Sequence, residues 1–275
     1  MDKKKFKNDK SICPKIGHII NPFVCAKDNP SYLYYAQPIT FKSMFLSQQE
    51  ARKDKIDIEL FTVNFPEDDL IIPKYFTKLP HLKKSTQSEF PEISGKRKLP
   101  IIQEIFDSIL KNTDVDFIIF TNSDIGVQKE FYKKINELIT KDNLKSFVIN
   151  RRDALPKFKD QHRLTEDDLE VIYKEKGVRH IGKDCFIISR KILSDINMNL
   201  MFTGYPPWGN TLFEILKSKD KGFKIFKKEY LTFHIGSDNT WVKSKSPLLF
   251  KNKEISEIVR KSHNLVDIKK QNITT

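Results

Sequence analysis

Glycine, cysteine and long apolar runs are what this sequence has least of. Its 275 residues include 9 glycines and 3 cysteines. So little glycine, beside 21 phenylalanines and a hydrophobic fraction of 39%, excludes a chain that is disordered throughout. Cys13, Cys25 and Cys185 form neither a CxxC pair nor a disulfide framework, so reduced thiols and a cytoplasmic setting are expected. No apolar run approaches the ~18 residues that a membrane-spanning helix needs, and no apolar signal-peptide segment follows the lysine-rich start. Zinc-ligand spacing, an RNP-like aromatic strand and a recognition-helix signature are all missing, so no nucleic-acid partner is expected. Internal repeats and Pro/Gly/Ser linkers are missing too, which favours a single domain.

Positive charge is present instead. Lys and Arg total 49 against 36 Asp and Glu, a net charge of +13, which suggests an anionic partner such as a nucleoside diphosphate or an anionic membrane surface. From Lys217 onward there are 14 Lys/Arg against 6 Asp/Glu. Peripheral contact with an anionic membrane is one reading of that stretch, and a solvated lysine face is the other. The expected organisation is a basic tail over residues 1–15, a domain over 16–245, and a basic extension over 246–275 packed on or near it.

Hydrophobic periodicity predicts alternating elements. A short apolar strand at 17–24 is broken by Asn21-Pro22. A helix follows over 38–52 with Pro38 in its first turn, then a strand over 56–63, the spacing of a βαβ unit and a parallel sheet. A helix over 99–110 leads into a buried strand from Asp116, and a helix over 128–140 follows. Further strands are predicted at 146–150, 180–188, 223–226 and 230–233. Further helices are predicted at 166–176, from 205–210 through Leu216, and at 254–263. The sum is a mixed, mainly parallel sheet flanked by helices.

In an open α/β sheet, ligands bind beyond the carboxyl ends of the strands. Four polar clusters sit at element ends, after or beside apolar strands: Asn122-Ser123-Asp124, Asn150-Arg151-Arg152-Asp153, the segment from His180 to Asp184, and the segment from His234 to Trp241. Asn122 and Asp124 flank one residue, so both side chains can face the same side of an extended turn. A hard divalent cation carrying a diphosphate wants one or two such protein oxygens, the rest coming from substrate and water. The alternative is an Asx turn that ends a strand.

At these clusters the chain resembles nucleotide-sugar glycosyltransferases of the GT-A fold. The resemblance is carried by Ile19-Ile20-Asn21-Pro22-Phe23, Phe120-Thr121-Asn122-Ser123-Asp124-Ile125, Ile149-Asn150-Arg151-Arg152, the segment from His180 to Phe186, and Thr232-Phe233-His234-Ile235-Gly236 with Trp241. It spans residues 16 to 242 and implies one Rossmann-like GT-A domain. It further implies transfer of a sugar from a UDP- or GDP-sugar donor to a glycan or lipid-linked hydroxyl acceptor, assisted by Mn²⁺ or Mg²⁺. Such enzymes hold the metal and the diphosphate with a D-x-D motif, matched here by Asn122-Ser123-Asp124 with Asn in place of the first acid. Asp124 and His234 match the metal ligands, and the imidazole favours Mn²⁺ over Mg²⁺. Asn21, Pro22, Ser123, Arg151, Arg152 and Lys98 fall at donor positions, the cations as partners for the diphosphate. Trp208, Asn210 and Trp241 fall on the acceptor side.

An inverting transfer also needs a carboxylate base. The acidic pair usual at the helix start is missing from Pro207-Trp208-Gly209-Asn210, which leaves Asp184 and Asp153, with Glu214 third. Three other readings compete: a degenerate nucleotide-sugar binder, a sugar-1-phosphate nucleotidyltransferase, and a nucleic-acid binder supported by charge alone. The loop after the first strand lacks the glycine-rich triphosphate cradle of a nucleotidyltransferase.

Overall fold

A computed structural model describes residues 13–25, 32–154, 164–236 and 245–265. Its frame is one sheet of nine strands: β1 (Ile16–Ile20), β2 (Ile58–Thr62), β3 (Thr77–Lys78), β4 (Phe117–Thr121), β5 (Ile125–Val127), β6 (Ser146–Asp153), β7 (Val178–Ser189), β8 (Lys224–Phe226) and β9 (Thr232–His234). The spatial order is β3-β2-β1-β4-β7-β6-β9-β5, and β8 also pairs with β6. The pairs β1–β2, β1–β4, β2–β3, β6–β8 and β6–β9 are parallel, whereas β4–β7, β6–β7 and β5–β9 are antiparallel. The fold is therefore α/β with a mixed, mostly parallel sheet.

The period-2 alternation of each strand sorts its side chains onto two faces. On one face Ile118, Phe120, Val148, Phe186 and Ile188 pack against the helices Ile102–Asn112, Trp208–Lys219 and Pro247–Ser262. On the other, Ile119, Phe147, Ile149, Cys185 and Ile187 meet the helices Leu33–Lys53 and Phe131–Thr140. The C-terminal helix is pinned by buried Asn252, whose side chain accepts from Phe202 N–H and donates to the carbonyls of Phe202 and Tyr205.

Several boundaries differ from the sequence reading. The first helix starts at Leu33, so Pro38 lies inside it and not in its first turn. The last helix starts at Pro247, seven residues earlier than its apolar stripe suggested. Arg151, Arg152 and Asp153 lie within β6, not in a loop beyond it, because β7 begins at Val178 and supplies a partner along that stretch. Among the described residues no helix is long and apolar enough to cross a membrane.

Candidate active site

Strand register builds the site. β9 runs antiparallel to β5, which sets His234 opposite Ile125, and parallel to β6, which sets His234 beside Asp153. Asp124 immediately precedes β5, in a tight turn closed by Ile125 N–H donating to the Asn122 carbonyl at 3.2 Å. Backbone ladders thus bring together three side chains that are far apart along the chain. His234 Nε2 lies 3.3 Å from Asp124 Oδ2, and His234 Nδ1 lies 3.2 Å from Asp153 Oδ1.

The line of charge continues along β6. The register between β6 and β7 shifts between Ile149 and Arg152, an irregularity of the kind that re-aims a side chain. Arg151 and Asp153 share one face, and Arg151 Nε lies 3.4 Å from Asp153 Oδ1. Its Nη1 donates to Asp184 Oδ2 at 2.9 Å. Asp124, His234, Asp153, Arg151 and Asp184 therefore form a continuous line of alternating acidic and basic side chains. Arg152 faces the other way, donating to the carbonyls of Lys176 and Gly177 and stacking over Tyr230. The two adjacent arginines serve different sides of the strand.

Burial alone would protonate the carboxylates and strip the proton from the imidazole. For Asp124 the burial effect is outweighed by the His234 hydrogen bond and by the charges of His234 and Arg151, so its pKa falls below the usual value. Asp153 falls likewise, its burial offset by His234 and Arg151. His234 rises despite burial, because both carboxylates favour its charged form. His180 moves down, through burial and the nearby Arg151 charge.

Tyr32 joins the site with no warning in the sequence. Its hydroxyl donates to Asp124 Oδ2 at 3.2 Å, and its ring meets His234 edge-on with centroids 5.9 Å apart. Gly236 has φ +147°, and the Tyr32 ring stands where a Cβ would be, so the glycine is what lets the ring close on the histidine. Gly182 does a similar service on β7. A Cβ there would stand 2.5 Å from Asp184 Oδ2 and 2.7 Å from His180 Nδ1. His180, Gly182 and Asp184 share one face of the strand, and the Gly182 N–H donates to His180 Nδ1 at 2.8 Å.

The remaining sequence-derived candidates are placed as follows. Asn21 donates to the Val63 carbonyl at 2.6 Å, tying the ends of β1 and β2 together next to buried Pro22. Asn122 is half-buried and Ser123 is buried in the turn before β5. Lys98 is ion-paired with Glu67 and lies over the Phe65 ring, beyond the end of β2. Trp208 packs in the core against Phe120 and Phe186. Asn210 is exposed and accepts from Lys183 Nζ at 2.8 Å. Glu214 pairs with Arg260 of the C-terminal helix, which commits it to helix packing. Trp241 lies outside the described residues.

Asp124 Oδ1 is buried and has no hydrogen-bond partner among the described residues, so one carboxylate oxygen remains for a ligand. Oxygen from Asp124 and nitrogen from His234 suit Mn²⁺ or Mg²⁺. No group of three or more His, Cys, Asp or Glu side chains among the described residues is placed to hold a metal by itself. A two-ligand site completed by substrate oxygens and water is what these residues fit.

No protein-family model matches the chain. No curated protein matches it in sequence. Solved structures do match in fold. Glucosyl-3-phosphoglycerate synthase from Mycobacterium tuberculosis, in complex with phosphoglyceric acid, aligns with a TM-score of 0.52 at 12% identity, over 93% of this chain and 82% of that one. The same enzyme with Mn²⁺, UDP-glucose and phosphoglyceric acid aligns at 0.50 and 12% identity, over 93% and 81%. Its complex with Mg²⁺ and UDP gives the same TM-score, identity and coverage. The likeness is one of fold, the GT-A fold of these solved structures.

Proposed function

We propose that this protein is a metal-assisted glycosyltransferase that moves a sugar from a nucleoside-diphosphate sugar to a hydroxyl acceptor. The observation that carries the reading is the meeting of Asp124 and His234 at 3.3 Å, with Asp124 Oδ1 buried and unengaged. UDP is the favoured donor nucleotide, since similar folds are solved with UDP and UDP-glucose. A divalent ion held by Asp124 and His234 would neutralise diphosphate charge as the sugar–phosphate bond breaks.

The chain's own groups divide the rest of the work. The bond from the sugar's anomeric carbon to the diphosphate breaks, the diphosphate leaves with the electron pair, and the acceptor oxygen bonds to that carbon. The acceptor's proton must go to a base, and in an inverting transfer Asp184 takes it, on the His180 side of β7. Arg151 is spent on Asp153 and Asp184. It acts by fixing those carboxylates more than by clamping phosphate. The acceptor is a glycan or lipid-linked sugar, and contact with an anionic membrane through the basic C-terminal fifth is part of the same proposal.

The test is UDP release from a panel of UDP- and GDP-sugars with Mn²⁺ and a mixed acceptor pool. Turnover should fall by about 100-fold or more in Asp124→Ala and in His234→Ala, given that a lost charge contact costs several kcal/mol of transition-state stabilisation. Equal rates in the parent protein and the double variant would leave a nucleotide-sugar binder without catalysis.

A further inference from the structure

We infer that Asp153 and Tyr32 form the outer shell of the ion site, choosing which atom of each ligand faces the ion. This rests on the ion-binding reading above and deepens it. A histidine has two ring nitrogens, and only the one left unprotonated can bind a metal. The partner of the other nitrogen decides which it is. Here a carboxylate faces each nitrogen, Asp124 Oδ2 at 3.3 Å from Nε2 and Asp153 Oδ1 at 3.2 Å from Nδ1. An ion held by Asp124 would take the place of the proton at Nε2, while Asp153 would accept the proton that stays on Nδ1. The carboxylate of Asp124 poses the same choice between two oxygens. Tyr32 donates its hydroxyl to Oδ2 and leaves Oδ1 buried and without a hydrogen bond among the described residues.

Both supports are built into the fold. Asp153 is aligned with His234 by the β6–β9 register, and its Oδ1 is steadied by Arg151 Nε at 3.4 Å. Tyr32 is aligned by its seat at the start of the first helix and by the missing side chain at Gly236. The sequence reading put Asp153 forward as a catalytic base. The geometry assigns it a positioning role, because its Oδ1 is already shared between His234 and Arg151.

The experiment is a Mn²⁺ titration of the full chain, followed by loss of the free-ion electron paramagnetic resonance signal, with and without UDP. Electron spin-echo modulation then reads the coupling of ligand nitrogen to the bound ion. Asp153→Ala should weaken Mn²⁺ binding by about 10- to 100-fold and diminish the histidine nitrogen coupling, the usual cost of losing an outer-shell partner. Asp153→Asn keeps the shape and an acceptor oxygen, so it should recover part of the affinity. Tyr32→Phe should weaken binding less and leave the nitrogen coupling intact. Parent-like affinity and coupling in both Asp153 variants would overturn the outer-shell role while leaving the ion site standing. No binding of Mn²⁺ by the parent protein, with UDP present, would overturn both.

Discussion

His18 in β1 and His234 in β9 are 0% and 1% exposed, and each ring has a partner at both nitrogens. The partners differ in kind. His18 lies between two hydroxyls, with Nδ1 2.8 Å from Tyr132 Oη and Nε2 2.9 Å from Thr121 Oγ1. His234 lies between two carboxylates. Burial drives the His18 pKa down to about 3, so that ring is neutral and structural. The same burial acts on His234, yet Asp124 and Asp153 override it and raise the pKa. Depth therefore says little about what a buried histidine is for, and the charge of its neighbours says most of it. One ring closes a hydrogen-bonded core, and the other marks a place where positive charge is stabilised.

The largest expected effect separates the two roles directly. His18→Ala empties a packed site and leaves the Tyr132 and Thr121 hydroxyls without their buried partner, which should cost about 3–5 kcal/mol of unfolding free energy. Its thermal shift with UDP and Mn²⁺ should match that of the parent protein. His234→Ala should lose that ligand-induced shift. Urea unfolding and melting curves on both variants check this, and a lost ligand shift in His18→Ala with stability intact would erase the distinction.

Next comes the dependence on pH. The His18 pKa is depressed in the folded state, so folding strands it as a neutral ring while the unfolded chain can take up a proton below about 6.5. Its contribution is fully present above that value and is lost as pH falls toward about 3. Between pH 6.5 and 5 this linkage should remove about 2 kcal/mol, at 1.36 kcal/mol per unit. Subtracting the same measurement on His18→Gln, which cannot titrate, isolates the effect. Parallel stability curves for the two proteins would show that His18 is not the buried neutral group described.

These two histidines were not equally readable in the sequence. The alternating apolar strands and helices were, because β-branched and aromatic runs such as Phe117-Ile118-Ile119-Phe120 announce buried strands at any position. His234 drew notice only through its resemblance to a known motif, since nothing in a spacing of more than a hundred residues implies contact with Asp124. That contact is made by β5, a three-residue strand containing Gly126 in the stretch between the polar strand end and the helix from 128, where no element is expected from the sequence. Arg151 and Asp153 look like loop residues because they are charged, and pairing of this stretch with both β7 and β9 keeps them in the sheet. Tyr32 lies in a run of tyrosines with no periodic signal, and its role depends on the bare backbone of Gly236, about two hundred residues later.

The smallest effect comes from deleting one hydroxyl beside each ring. Tyr132 is fully buried and its hydroxyl serves His18, so Tyr132→Phe leaves a buried ring nitrogen without a partner and should cost about 1.5 kcal/mol. Tyr32 is only half-buried, and its hydroxyl serves a carboxylate that already has His234 beside it. Tyr32→Phe should therefore cost less than Tyr132→Phe, about 0.5–1 kcal/mol, because Asp124 Oδ2 keeps His234 beside it. Chemical denaturation without metal measures both. If Tyr32→Phe proves as destabilising as Tyr132→Phe, the hydroxyl on Asp124 is a structural strut like its counterpart, and the contrast between the two histidine environments narrows to the carboxylates alone.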